Sequence, residues 1–264
     1  GVTKLEPLLE VMGDLTKIRN RMEEETDNMF DPLRQTCTLL RKYNITIDDA
    51  ITQNLETAPE LWGALKKKAV MTKEVHAEAQ TLEANKIKAN AKVFEVRSAD
   101  FLVNFKSKMP FGYTEDYDSA YAIIDDMHHK PMSDDNPFGS IKELMKESDY
   151  FNEMQELFEL IKIEYREGAQ CLKETIMLKE LFDMISMVVD TFTDWRKTKW
   201  ADIDVEFYGE ACKVLAKNIK SMNKNLKNWP AFKGCEDSVK NMQVSLPLMA
   251  QLANDAMRDR HWKT

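Results

Sequence analysis

The sequence predicts an all-α protein built as elongated antiparallel helical bundles with one very long helix. Three observations predict it. Glycine is scarce, 8 of 264 residues, about 3% against roughly 7% in an average chain. With only 8 prolines as well, few tight turns can be built, which argues against a fold of many hairpins. Apolar residues recur three and four apart over long stretches, the repeat of a helix face. The 43% hydrophobic fraction can fill a core in a chain of this length.

Taken in order, the elements follow from that repeat and its interruptions. From Lys4 to Tyr43 the spacing is helical, with Asp31 and Pro32 as the strong interruption. Pro32 removes a backbone donor and crowds the preceding turn, which predicts a kink or break. "YNITIDD" reads as a turn, and Asp48 and Asp49 as helix-start residues that favour the positive end of the helix dipole. Thr57 and Glu60 form a capping-box pattern, and neither glycine nor proline occurs between Gly63 and Pro110. One helix over about 57–108 is expected, roughly 65 Å or more at ~1.5 Å per residue. After the loop "MPFGYTEDYD" comes a short helix around Ser119 to His129, then the polar turn "HKPMSDDNPFGS". Ser140 and Glu143 repeat the capping box, and one apolar face runs from Ile141 through Phe151, Phe158, Ile161 and Tyr165 up to Gly168. Leu178, Leu181, Ile185, Val188, Phe192 and Trp195 then form a strict seam. Another runs from Tyr208 through Cys212, Leu215, Ile219, Met222 and Leu226 to Trp229, where Pro230 ends it. A last helix and a short segment broken at Pro247 complete the chain. A division at the polar turn gives an N-terminal bundle over residues 1–135, with the long helix, and a C-terminal bundle over residues 136–264.

Composition narrows the function. With 45 acidic against 37 basic residues and a net charge of -8, the chain lacks the basic footprint of a nucleic-acid binder. Cys37, Cys171, Cys212 and Cys235 are far apart and form no C-x-x-C pair, which fits reduced thiols of an intracellular protein. No apolar run reaches the roughly 18 residues of a membrane span, and the N-terminus lacks a signal-peptide pattern.

The candidate sites are few. Phosphate-cradling G-x-x-x-x-G-K-[ST] and G-x-G-x-x-G loops and the G-x-S-x-G elbow are all missing, so no catalytic residue and no cofactor-binding residue is assigned. "DDMHHKPMSDD" gathers Asp125, Asp126, His128, His129, Asp134 and Asp135. Adjacent helical residues point about 100° apart, however, so His128 and His129 do not readily share an ion, and no metal ligand is assigned either. His76 lacks the H-E-x-x-H context and reads as an exposed helical position. Lys213, Lys217, Lys220, Lys224 and Lys227 fall at heptad positions opposite the apolar seam. They read as a solvated face and as a candidate protein-contact face for an acidic surface.

Read together, "TKWADIDVE" at 198–206, "NWPAFKG" at 228–234 and "VKNMQVSLPLMAQLANDAMRDRHWKT" at 239–264 resemble the dynein heavy chain, at the stretch where its tail enters the linker. "DPLRQTCTLLRKYNI" at 31–45 and "APELWGALKKKA" at 58–69 are similar to the family's upstream helical region, and "IDVE" leans toward axonemal chains of the outer-arm type. The resemblance implies a non-catalytic stem segment, a mechanical lever joining the cargo-bound tail to the linker and the ATPase ring of a microtubule motor. It implies that ATP and magnesium serve distant parts of the full-length chain and that microtubules are met only there. It also implies a cytoplasmic, axonemal location in a cilium or flagellum. The expected partners are the rest of the heavy chain, intermediate or light chains and neighbouring heavy chains, with no nucleic acid and no membrane. Arg260, His261 and Trp262 match the family's element near the linker entrance, where a structural junction is expected. The reading from another class is a membrane-binding helical module of the curved-dimer type, using the lysine face on lipid. A small helical enzyme built on the aspartate and histidine cluster is the third.

Overall fold

The computed structural model describes residues 5–25 and 29–253. Among them are nine α-helices: α1 (Leu5–Glu25), α2 (Phe30–Lys42), α3 (Asp49–Val75), α4 (Ala77–Lys108), α5 (Tyr117–His129), α6 (Ile141–Leu157), α7 (Glu167–Lys197), α8 (Val205–Ser221) and α9 (Pro230–Leu252). β-pairing among the described residues is an isolated bridge between Ser133 and Asn136. The all-α class is therefore as the sequence predicts.

The single long helix is corrected to two. α3 begins at Asp49, because the Asp48 carboxylate accepts the Ala50 amide at 3.0 Å, an N-cap that satisfies a donor the helix cannot. Thr57 instead sits inside α3, with its hydroxyl bonded to the Gln53 carbonyl at 3.0 Å, and Pro59 lies within the helix. α3 ends at the half-buried His76, with φ -96° and ψ 3°, which separates it from α4. Just before it, the Thr72 hydroxyl bonds back to the Lys68 carbonyl at 2.8 Å, a competition with the backbone ladder that bends helices. The second capping box is present. The Glu143 amide donates to the Ser140 hydroxyl and the Ser140 amide to the Glu143 carboxylate, both at 3.2 Å.

Three further boundaries differ from the sequence reading. Pro32 stands in the first turn of α2, where its missing donor costs little, so it neither kinks nor breaks the helix. α6 ends at Leu157 rather than continuing past Tyr165. There the Leu160 amide turns back to the Gln155 carbonyl at 2.8 Å, and the buried Gln155 side chain accepts the Ile163 amide at 2.8 Å. α9 runs through Pro247 to Leu252. Pro247 is on the exposed side, where water can satisfy the carbonyl that loses its partner.

The chain divides into two units, one of residues 1–94 and 149–164 and one of residues 95–148 and 165–264. The first has a core of Leu8 and Met12 from α1, Ala84 and Ile87 from α4, and Met154 and Phe158 at the end of α6. These pairs are spaced four, three and four apart, the helix-face repeat again. Phe94 and Phe151 add a ring contact at 5.0 Å. Glu159 follows with a positive φ of 54°, and its carboxylate takes Arg19 of α1 at 2.6 Å and Lys73 of α3 at 2.8 Å.

The hydrogen bond from Lys73, foremost, holds the Glu159 carboxyl below its ordinary value of 4.5. A carboxyl with a depressed folded-state pKa stabilises above its unfolded value and loses that contribution as pH falls through the folded one. The groups are substantially exposed, so solvent screening leaves about 0.5–1 kcal/mol. Glu159→Gln should cost that amount at neutral pH. The gap to wild type should close below about pH 4, as read by thermal melts across pH.

The second unit is centred on α7. Of its predicted seam, Leu178, Leu181, Ile185, Val188 and Phe192 are buried, while Trp195 is half-buried and stacks on Tyr208 at 4.2 Å. α5 packs along α7, fixed by the Tyr117 hydroxyl donating to Asp190 at 2.8 Å and the Tyr121 hydroxyl donating to Asp183. Phe101 and Phe105 of α4 and Ile141 and Leu144 of α6 close the interior. Lys106 pairs with Glu174 across α4 and α7, and Arg97 with Glu147 across α4 and α6.

Candidate functional site

The lysine face is built on α8. The Asp204 carboxylate caps the helix by accepting the Phe207 amide at 3.0 Å. Glu206 lies in the first turn and Lys220 in the last, each at the dipole end that favours its charge. Tyr208, Cys212, Leu215 and Ile219 are buried, so Lys213, Lys217 and Lys220, at i, i+4 and i+7, project on the opposite, exposed side. Lys213 is tied to Glu210 at 2.6 Å.

The row of five lysines does not lie on one helix. α8 stops at Ser221, whose hydroxyl bonds to the Asn218 carbonyl at 2.7 Å. Met222 is extended, and the Asn223 side chain accepts the Asn225 amide at 3.0 Å. Such side-chain bonds offer the backbone an alternative to the helix ladder. Lys224 and Lys227 therefore sit on a separate 3-10 turn (Lys224–Asn228), also exposed. Leu226 anchors that turn in the core, and Trp229 meets Phe111 edge-on at 5.0 Å. Proline is well placed at Pro230, the start of α9.

Gly234 of α9 has the tightest surroundings of the glycines described. A Cβ there would lie 2.4 Å from both Cβ and Cγ of Tyr113, so only glycine lets α9 approach the loop after α4. Sequence reasoning missed this contact, since nothing local to "FKGCE" marks it.

His128 and His129 stack their rings at 4.3 Å, and His129 Nδ1 lies 3.1 Å from Asp125. Burial, first, pushes the His128 imidazole below its ordinary 6.5. Among the described residues no three His, Cys, Asp or Glu side chains are gathered so as to hold a metal ion. Cys171, Cys212 and Cys235 are buried free thiols and Cys37 is a half-exposed one. Burial pushes Cys171 and Cys235 up to about 12, far from the thiolate a nucleophile needs. Among the described residues no helix is long and apolar enough to cross a membrane. Arg260, His261 and Trp262 lie outside the described residues. Chemically, the surface offers exposed cations on a packed scaffold, suited to contact with carboxylates.

Comparison with known proteins gives this scaffold its relatives. Residues 169–264 match the family described as "Dynein heavy chain, N-terminal region 2". The chain is 36% identical over 262 residues to the dynein beta chain of the flagellar outer arm of Chlamydomonas reinhardtii, covering 97% of this chain and 6% of that protein. It is 36% identical over 256 residues to dynein axonemal heavy chain 17 of Mus musculus and 33% identical over 256 residues to the ciliary dynein beta chain of Tripneustes gratilla. Each match covers 97% of this chain and 5% of the relative. The chain thus spans about one-twentieth of the length of these relatives while matching them almost from end to end of its own, and it belongs to the dynein heavy chain family, on the axonemal side of it.

Proposed function

We propose that this chain is a non-catalytic stem segment of an axonemal dynein heavy chain, a lever joining the cargo-bound tail to the linker and ATPase ring. The observation that carries the reading is the match of residues 169–264 to the family's N-terminal region 2, within a similarity that extends over 97% of the chain. The physics agrees with it. Helices locked along several buried seams resist bending, because any deformation disturbs many packed contacts together. The place of work is the axoneme of a cilium or flagellum, as the names of the relatives say of them. The sequence has no phosphate-cradling loop, so its residues do not fit ATP with magnesium, and no chemical step is assigned to them. In this reading the nucleotide and the microtubule are met elsewhere on the full-length chain. Lys213, Lys217, Lys220, Lys224 and Lys227 present a contact face for an acidic surface of an intermediate chain, a light chain or a neighbouring heavy chain. Arg260, His261 and Trp262 form the structural junction to the linker.

The test is a hinge. A flexible glycine-serine insert placed between α8 and α9 of the full-length heavy chain should leave ATP turnover intact and abolish most microtubule gliding. Gliding at undiminished speed would overturn the lever.

A further inference from the structure

From Ala211 to Cys235 the chain carries six lysines and no acidic residue. Lys233 on α9 joins the five of the lysine face, and all six are exposed. Among the described residues only Lys213 of the six has an ion-pair partner, Glu210, so five cations are left without a neighbouring countercharge. The chain as a whole has a net charge of -8. An acidic ligand is therefore drawn in only by a local excess of cations such as this one.

The scaffold decides which kind of anion fits. The lysines stand on α8, on the 3-10 turn and at the start of α9, and the extended residues Met222 and Trp229 separate these elements. Buried Ile219, Leu226 and Phe232 anchor the three in turn and hold the cations in place. No single helical repeat runs through them, so a straight acidic helix, with its carboxylates on one stripe, meets only part of the set. Apolar anchors are missing as well: between Val214 and Val244 no large hydrophobic side chain is exposed, whereas a docked helix takes its affinity from such anchors. A flexible segment rich in Glu or Asp needs neither a fixed repeat nor an apolar anchor, and it can follow the turn in the row.

We propose that Lys217, Lys220, Lys224, Lys227 and Lys233 capture a flexible acidic segment of a partner protein, held by charge. The inference rests on the contact-face reading of the lysines and names the chemistry of what they contact.

The probes are two fluorescein-labelled peptides with about eight glutamates each, one spaced by glycine and serine so that it stays flexible, the other on an alanine scaffold that forms a helix. Fluorescence anisotropy should show the flexible peptide binding the chain about tenfold more tightly than the helical one. Raising salt from roughly 50 to 200 mM should weaken it about tenfold. Lys220→Glu with Lys224→Glu should weaken it by about tenfold or more, with the thermal melt unchanged because both side chains are exposed. Lys67→Glu with Lys68→Glu on α3 makes the same change in net charge and should leave binding within about twofold. Equal losses from the two double variants would overturn the proposal, as would binding to phosphatidylserine vesicles through the same lysines in place of the peptide. Binding of the helical peptide alone would overturn it and leave the contact face standing, whereas binding of neither peptide would remove both.

Discussion

Phe182→Ala is expected to destabilise the second unit by about 3–5 kcal/mol, the range for truncating a fully buried aromatic side chain. Phe182 has no exposed surface and lies at the centre of α7, with the Tyr121 ring edge-on at 6.5 Å. Removing the ring forfeits its burial and leaves a cavity that α5 and α7, pinned to each other by the Tyr117 and Tyr121 hydroxyls, cannot close without moving those bonds. Urea unfolding followed by circular dichroism measures the loss. A second readout is the Tyr121 phenol, pushed up to about 12 by burial first and by its bond to Asp183 next. In the variant it should titrate closer to its ordinary 10.0. Ile176→Ala on the same helix removes a side chain that is 52% exposed and should change stability by no more than about 0.5 kcal/mol. Equal effects of the two substitutions would refute the assignment of the core.

Gly234→Val and Gly63→Ala should move stability in opposite directions. Both glycines lie inside helices, where replacing glycine ordinarily stabilises by about 0.5–1 kcal/mol. At Gly63 a Cβ meets nothing within 4 Å, so Gly63→Ala should realise that gain. At Gly234 the new Cβ collides with the Cβ and Cγ of Tyr113 at 2.4 Å. Those atoms sit at the root of the side chain, so relief requires the backbone after α4 to shift. The expected loss is about 2–3 kcal/mol, in the range for overpacking a filled site. Pairing Gly234→Val with Tyr113→Gly, which removes both clashing atoms, tests the cause, since the double variant should recover part of the loss if the clash is responsible.

The buried seams were the most legible part of the chain. Leu178 to Phe192 and Tyr208 to Ile219 could be read from spacing because burial selects apolar residues at the helix period. Ser140 with Glu143 was legible for a similar reason, since both halves of the box lie within four residues. Boundaries set by side chains bonding to backbone were harder. Asp48 took the cap that Thr57 and Glu60 advertise, and Asn223 with Ser221 ended α8 inside an unbroken apolar repeat. In each case two local solutions compete within about 1 kcal/mol, and a sequence pattern shows both without ranking them. The lysine face was legible as exposure, but its division between a helix and a 3-10 turn was not. Contacts between distant residues left no trace at all: nothing near Gly234 names Tyr113, and nothing near Glu159 names Arg19 and Lys73.

The distribution of the four thiols has a practical consequence for attaching a probe. Three sulfurs are sealed inside the second unit, and Cys37 on α2 remains within reach of solvent. Among the four thiols of residues 1–264, a maleimide-bearing dye therefore finds Cys37 as the reachable handle, without any engineered cysteine.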